Sequence, residues 1–377
     1  MAPTSAQVPR VVIVGTRGYP SYYGGLETAV RKLAPYLVEH GWDVTVHGRR
    51  DGTRDHDPNR ETRVHSVPVW ALESKSLSNL SSGLASTLKM LRDPPDVALV
   101  MSTAIGFWLP LLKLRGIPTV VNTDGIEWER DKWGRLAKSV LLAGAWMTAR
   151  FGDELVFDAR AIERYWNERF HREGHYIPYG GESLPPPAPF DGLTARGYVL
   201  LVARFVPENT VSEFLAAADR LAGDFDVVLV GSTGWGGGLD DDAAHLAAAH
   251  PRVHWLGHVS DEETLNGLYA NAAVYFHGHS VGGTNPSLVQ AMASGTPIVA
   301  RDTVYNREVL GTTGVYCAPD PESIEAVVRH VMSDPDALSR MGRDNQLRAQ
   351  SHFTWATVCA DYEAVLRLTL DRRARRS

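Results

Sequence analysis

Short apolar runs alternate with segments of helical period, and one proline-rich stretch interrupts them once; nothing else constrains the fold of this chain as strongly. The runs at 10–15, 43–47, 64–69, 96–101, 118–122, 154–157 and 176–177 are largely apolar without alternation. That pattern suits strands covered by helices on both faces, as in a parallel sheet. Between them, 26–39, 77–91, 107–114, 133–150 and 159–170 repeat apolar residues at helical spacing. The stretch 178–189, PYGGESLPPPAP, carries no period and reads as a stiff linker. Beyond it the alternation restarts, with strands at 198–203, 226–230, 253–256, 272–276 and 298–300 and helices between them. Three helices, 324–332, 337–350 and 355–370, close the chain. At 377 residues, 44% of them hydrophobic, two cores can be buried. The expectation is α/β: two Rossmann-like domains facing each other across a cleft. Their bounds read as 1–184, a linker at 185–196, 197–353, and a closing helix at 354–377. No repeat of solenoid or propeller length is present.

Composition narrows the function. A formal net charge of −6 argues against nucleic acid as a partner, and the basic run at 372–376 is a short solvated tail. Cys317 and Cys359 stand far apart without ligand spacing and read as buried or incidental thiols, consistent with a reducing cytoplasm. The first residues lack the apolar core of a signal peptide. The longest apolar run, 140–147, falls well short of the ~20 residues a spanning helix needs.

Four stretches carry the chemistry. The first, 277–307, leaves a strand through His277 and His279, turns at Gly282 and Gly283, and enters a helix at Pro286 with Thr284 or Asn285 as its cap. Glycines before a helix start leave backbone N–H groups open to a phosphate, and the helix dipole adds to the attraction. Leu288, Val289 and Met292 face the core. In the second, residues 16–25 are glycine-rich ahead of a helix but lack GxGxxG spacing. Gly24 and Gly25 there are either a ligand contact or a tight turn. The third places Asp124 and Glu127 after an apolar strand, where open sheets do chemistry; a helix cap and a surface charge are the plainer alternatives. In the fourth, 133–150, Arg135 and Lys138 with Lys132 stand beside Leu136 and Val140. This pattern fits an acidic membrane surface or a packed helix with a solvated rim. Asp240, Asp241 and Asp242 open a helix after three glycines, a position that favours acids through the dipole, so no metal site is read there.

These residues resemble a known family. VGTRGYP at 14–20 with YGGLET at 23–28, NTDGIEW at 122–128 with Lys132 and Trp133, YIPYG at 176–180, ARFVPEN at 203–209 and above all HGHSVGGTNPSL at 277–288 look like retaining GT-B-fold glycosyltransferases (group 1, family 4), close to the rhamnosyltransferase-like branch of bacteria. The resemblance implies that the second domain holds a nucleotide sugar and the first an acceptor, with the last helix crossing back to the first domain. Implied donor contacts are Arg204, Asn209, Gly24, Gly25, Gly282, Gly283, Thr284, Asn285, Leu288 and Gln290. Implied acceptor contacts are Arg17, Tyr23, Glu127 and Trp128. Asp124 would orient the acceptor hydroxyl, His279 would lie near the donor sugar, and Arg204 would stabilise the leaving diphosphate. No metal or cofactor is implied; the nucleoside diphosphate sugar is a co-substrate.

Two departures stand out. The family's two glutamates are Gly282 and Gln290 here, and its lysine beside the arginine is Asn209. Gln290 can still hydrogen-bond a ribose, without charge. The reading is transfer of a sugar, from dTDP-rhamnose or a UDP-sugar, to a hydroxyl with retention and without metal. The acceptor is a carbohydrate, a lipid-linked sugar or a small molecule, in polysaccharide or glycoconjugate assembly, and peripheral contact with the inner membrane face stays open. A sugar-nucleotide 2-epimerase on the same fold and a non-catalytic nucleotide-sugar-binding subunit are the alternatives.

Overall fold

The computed structural model describes residues 8–22, 24–49, 52–54, 57–72, 78–130, 133–185, 188–190, 192–234 and 236–375. These fall into two compact units, one made of 1–178 with 356–377 and the other of 179–355.

Unit 1 contains β1 (Arg10–Val14), β2 (Asp43–Arg49), β3 (His65–Val69), β4 (Val97–Val100), β5 (Thr119–Asn122), β6 (Glu154–Phe157) and β7 (His175–Tyr176), in the order β3-β2-β1-β4-β5-β6-β7. Every pairing is parallel; Ile13 sits beside Val46 on one side and Leu99 on the other. Helices α1 (Gly25–Glu39), α2 (Ser78–Arg92), α3 (Leu109–Leu114), α4 (Arg135–Phe151) and α5 (Arg160–Phe170) join the strands. The helix read at 107–114 begins instead as a 3₁₀ turn, Thr103–Trp108, capped by Ser102, before α3. On α4, Leu136 is 81% exposed and Trp146 49%. Among the described residues no helix is long and apolar enough to cross a membrane.

Unit 2 contains β8 (Tyr198–Val202), β9 (Asp226–Val230), β10 (Val253–Trp255), β11 (Val274–His277), β12 (Ile298–Arg301) and β13 (Val315–Cys317), ordered β10-β9-β8-β11-β12-β13 and again parallel. Its helices are α6 (Val211–Leu221), α7 (Leu239–Ala249), α8 (Glu262–Asn271), α9 (Pro286–Ala293), α10 (Val304–Leu310), α11 (Pro321–Met332) and α12 (Pro335–His352). Side-chain alternation along β8 builds two cores. Val199 and Leu201 join Phe214, Leu221 and Val328, whereas Tyr198 and Leu200 join Leu288, Met292 and Ala349. Each such leucine or phenylalanine contributes roughly 1.5–3 kcal/mol by leaving water.

The last helix, α13 (Trp355–Ala374), returns to unit 1 from residue 356. Trp42 Nε1 donates to Glu363 Oε1 at 3.2 Å, Asn122 Nδ2 donates to the Tyr362 hydroxyl at 2.5 Å, and Arg372 pairs with Glu154. Strand order reverses between β1 and β4 and between β8 and β11. At such a reversal the connections leave in opposite directions and open a crevice at the carboxyl ends of the strands.

Candidate functional site

In unit 2, two loops meet at the reversal between β8 and β11. The first, 203–210, leaves β8; the second, 278–285, leaves β11 and enters α9. They are laced together: Ser280 donates through its N–H (2.9 Å) and its hydroxyl (2.8 Å) to the Glu208 carbonyl, and Thr210 Oγ1 donates to the Gly278 carbonyl at 2.6 Å. Gly278 is required by this closeness, since a Cβ there would stand 2.4 Å from the Asn209 carbonyl oxygen. Gly282 is required by conformation, with φ of 110°. Asn285, not Thr284, caps α9: its Oδ1 accepts from Ser287 N–H at 3.1 Å and Ser287 Oγ at 2.7 Å, while Thr284 is buried.

Arg204 lies in the first loop. Its carbonyl accepts from Asn209 Nδ2 at 2.9 Å. Its side chain is exposed, and its guanidinium has no hydrogen-bond or ion-pair partner among the described residues. Asn209 Nδ2 thus helps to shape the loop. Leu288 is a core residue with no exposed side-chain area. A donor could meet position 288 only through its main chain.

The two histidines stack, with centroids 4.4 Å apart and planes 11° from parallel. His277 is wholly buried, with Nδ1 2.9 Å from the Tyr275 hydroxyl and no hydrogen-bond partner for Nε2 among the described residues. Burial, then the neighbouring His279, pushes its pKa well below the usual imidazole value. It stays neutral, supporting the His279 ring from below, and the His279 carbonyl accepts from Asn306 Nδ2 at 3.1 Å. Gln290 sits further along α9. Its Oε1 accepts from Glu182 N–H and its Nε2 donates to the Glu182 carbonyl, both at 3.0 Å, so both ends of the amide hold main chain.

In unit 1, Asp124 follows β5 with φ of 54°, a left-handed conformation that Asp and Asn tolerate better than other side chains. Its N–H donates to Asn122 Oδ1 at 2.7 Å. The side chain of Asn122 therefore spans Asp124 and Tyr362 on α13. The 3₁₀ turn that follows, Glu127–Glu129, has Ile126 at its cap position and no side-chain cap bond. Glu127 is paired with Arg130 (2.7 Å) and accepts from Trp133 Nε1 (3.1 Å). Trp128 is 7% exposed and packs edge-on against Trp166 and Phe170, with its Nε1 on the Tyr165 hydroxyl. Its indole is core, not lining. The Arg17 N–H and the Gly24–Gly25 turn lie beside the α1 start, where Glu27 accepts from Arg17 N–H at 3.3 Å and supplies its own negative charge to the helix end. Tyr23 and Lys132 lie outside the described residues.

Asp240 accepts from Thr233 N–H at 2.8 Å and from its hydroxyl at 2.5 Å, closing the glycine loop before α7. The buried Cys317 and Cys359 thiols are pushed up to about 12 by desolvation. Sequence reasoning missed Arg301, at the carboxyl end of β12, and Thr210, which holds it.

Residues 196–334 match the family Glycosyl transferases group 1, and residues 24–180 match the Glycosyl transferase 4-like domain. The chain thus carries a group 1 glycosyltransferase domain and a glycosyltransferase 4-like domain. Among its relatives, the glycogen synthase of Mycobacterium tuberculosis is 27% identical over 391 aligned positions, covering 93% of this chain and 92% of that one. The MMP alpha-(1->4)-mannosyltransferase of Mycolicibacterium hassiacum is 32% identical, over 53% of this chain and about half (49%) of the relative's length. The sucrose-phosphate synthase of Thermosynechococcus elongatus superposes with a TM-score of 0.76 at 17% identity, covering 97% of this chain and 100% of that chain. That likeness gives the fold, two Rossmann-like domains of the GT-B type.

Proposed function

We propose that this glycosyltransferase moves a hexosyl group from a nucleoside diphosphate sugar to a hydroxyl, with retention at the anomeric carbon and without a metal ion. The observation that carries the reading is the Arg204 guanidinium, without a partner among the described residues, on a loop hydrogen-bonded to the one that enters the Asn285-capped α9 at the reversal of the unit 2 sheet. A cation and helix N-terminal amides are the groups a departing diphosphate needs as its charge grows. Unit 2 therefore holds the donor and unit 1 the acceptor, with Asp124 orienting the acceptor hydroxyl. With no side chain singled out as a nucleophile, the leaving phosphate takes the acceptor's proton as the new bond forms on the same face. The relatives named above are transferases and synthases, which favours transfer over 2-epimerisation. Exposed Leu136 on α4, with Arg135 and Lys138 on the same helix, supports peripheral contact with an anionic membrane.

The test is incubation with UDP-, GDP- and dTDP-hexoses, with and without lipid-linked and free saccharide acceptors. Acceptor-dependent product with the donor's anomeric configuration, made equally in EDTA, is the expected result. Inverted product overturns retention, and loss of turnover in EDTA that magnesium or manganese restores overturns the metal-free mechanism. Asp124→Asn keeps the left-handed backbone and removes the charge, so turnover should fall strongly while donor affinity holds.

A further inference from the structure

We propose that Arg301 is a second cationic contact for the donor's diphosphate, held in place by Thr210; the proposal rests on unit 2 being the donor site. Arg301 ends β12, next to β11, at the carboxyl edge of the sheet. Its Nη1 donates to Thr210 Oγ1 at 3.0 Å, and that hydroxyl donates onward to the Gly278 carbonyl. One hydroxyl thus ties the guanidinium to both loops of the site.

Three observations make the arginine more than a strut. Thr210 is its one side-chain partner among the described residues, though a guanidinium has five N–H donors. It is partly buried, yet no carboxylate among the described residues pairs with it; the adjacent Asp302 is held twice by Arg307, at 2.5 and 2.7 Å. A charge drawn out of water without a counter-charge is costly, and an arriving anion supplies one. Finally, Thr210 has φ of 57° although it is β-branched and buried. Glycine would take that backbone without strain; what threonine adds there is the hydroxyl that bonds the Gly278 carbonyl and Arg301. Asn209 beside it is neutral, which leaves Arg204 and Arg301 as the cations of the two loops and their flanking strand end.

The experiment is calorimetric titration of UDP and GDP into the full chain as wild type, Arg301→Gln, Arg204→Ala and Thr210→Gly. Glutamine removes the charge and keeps a polar amide on a shorter side chain. Arg301→Gln is expected to weaken diphosphate binding on the order of 10- to 100-fold, as for one charge-assisted bond. Its affinity should also depend less steeply on salt, which a purely structural role would not change. Thr210→Gly, which frees the guanidinium from its tie, should weaken binding in the same way. Affinity and salt dependence of Arg301→Gln matching wild type, with Arg204→Ala impaired, overturn the proposal and leave the donor site standing. If wild type binds neither diphosphate, the donor-site reading falls too. Should Arg301→Gln fail to fold, unchanged affinity in Thr210→Gly overturns the proposal.

Discussion

Arg204 and Gln290 stand a few residues from the same crevice and do opposite things. The Arg204 guanidinium is exposed and uncommitted among the described residues, so it can answer charge that grows on a leaving group. Arg204→Ala should therefore lose on the order of 10²–10³ in kcat, with donor affinity falling by less, and Arg204→Lys should recover only part because an ammonium lacks the planar fork. Near wild-type turnover in Arg204→Ala would place the diphosphate elsewhere. Gln290, expected at the donor ribose, has both ends of its amide bonded to the Glu182 main chain. An amide fits that pair of donor and acceptor, whereas a carboxylate sets one oxygen against a carbonyl. Gln290→Glu should thus cost about 1–3 kcal/mol, read as a lower midpoint in urea. A midpoint equal to wild type would show that the Glu182 tie carries no stability. Sequence spacing put both residues on the right elements, but commitment to a partner is a tertiary fact. The same limit applies to Trp128, whose motif position said nothing of the aromatic cluster that surrounds it.

At the scale of elements, continuous apolar runs made the buried strands legible; β6 and β9 begin and end where the runs do. β13 and α10 were not legible, and the reason is physical. β13 is three residues long with only Cys317 buried, and α10 opens on Val304, Tyr305 and Asn306, which are poor helix formers. It is held instead by the Thr303 cap, and Asn306 bonds the carbonyls of Arg301 and His279. β2 carries a further feature that apolar patterning hides, a buried histidine in the middle of the strand. Desolvation, with Lys89 and Arg10 adding to it, pushes His47 down to about 4. Unfolded, it titrates near 6.5. Below that pH the unfolded chain binds the extra proton, so stability is constant above pH 6.5 and declines as pH falls toward 4. The total is roughly 3 kcal/mol, from ~1.4 kcal/mol per pKa unit. His47→Leu, close in volume, should flatten this part of the profile in denaturant melts at pH 7, 5.5 and 4.5. A wild-type slope unchanged in the variant would assign it to another group.

At the scale of the whole molecule, the last helix decides which residues unfold together. The chain crosses from unit 2 back to unit 1 after Trp355, and α13 then supplies hydrogen-bond partners to Trp42, Asn122 and Glu154. Asn122 also holds Asp124, so the C-terminus of the chain supports the proposed acceptor site. Ending the chain at Trp355 should destabilise unit 1 and leave unit 2 able to bind nucleoside diphosphate, giving an added low-temperature transition in calorimetry and early proteolysis confined to 1–178. A single lowered transition with loss of diphosphate binding would mean that the two units unfold as one. The Arg372–Glu154 pair makes the coupling testable without truncation. Burial pushes the Glu154 carboxyl up, but the His175 hydrogen bond and the Arg372 charge outweigh it and hold it net below the usual glutamate value. For such a depressed acid the stabilisation is present above the unfolded value near 4.5 and is lost as pH falls through the lower folded one. Arg372 is 55% exposed, so solvent screening reduces the pair to about 1 kcal/mol. Arg372→Gln should therefore unfold more easily than wild type at pH 6, and the gap should close as pH falls below about 4. A gap that persists unchanged at low pH would mean that Arg372 stabilises unit 1 by packing alone, with no part played by the Glu154 charge.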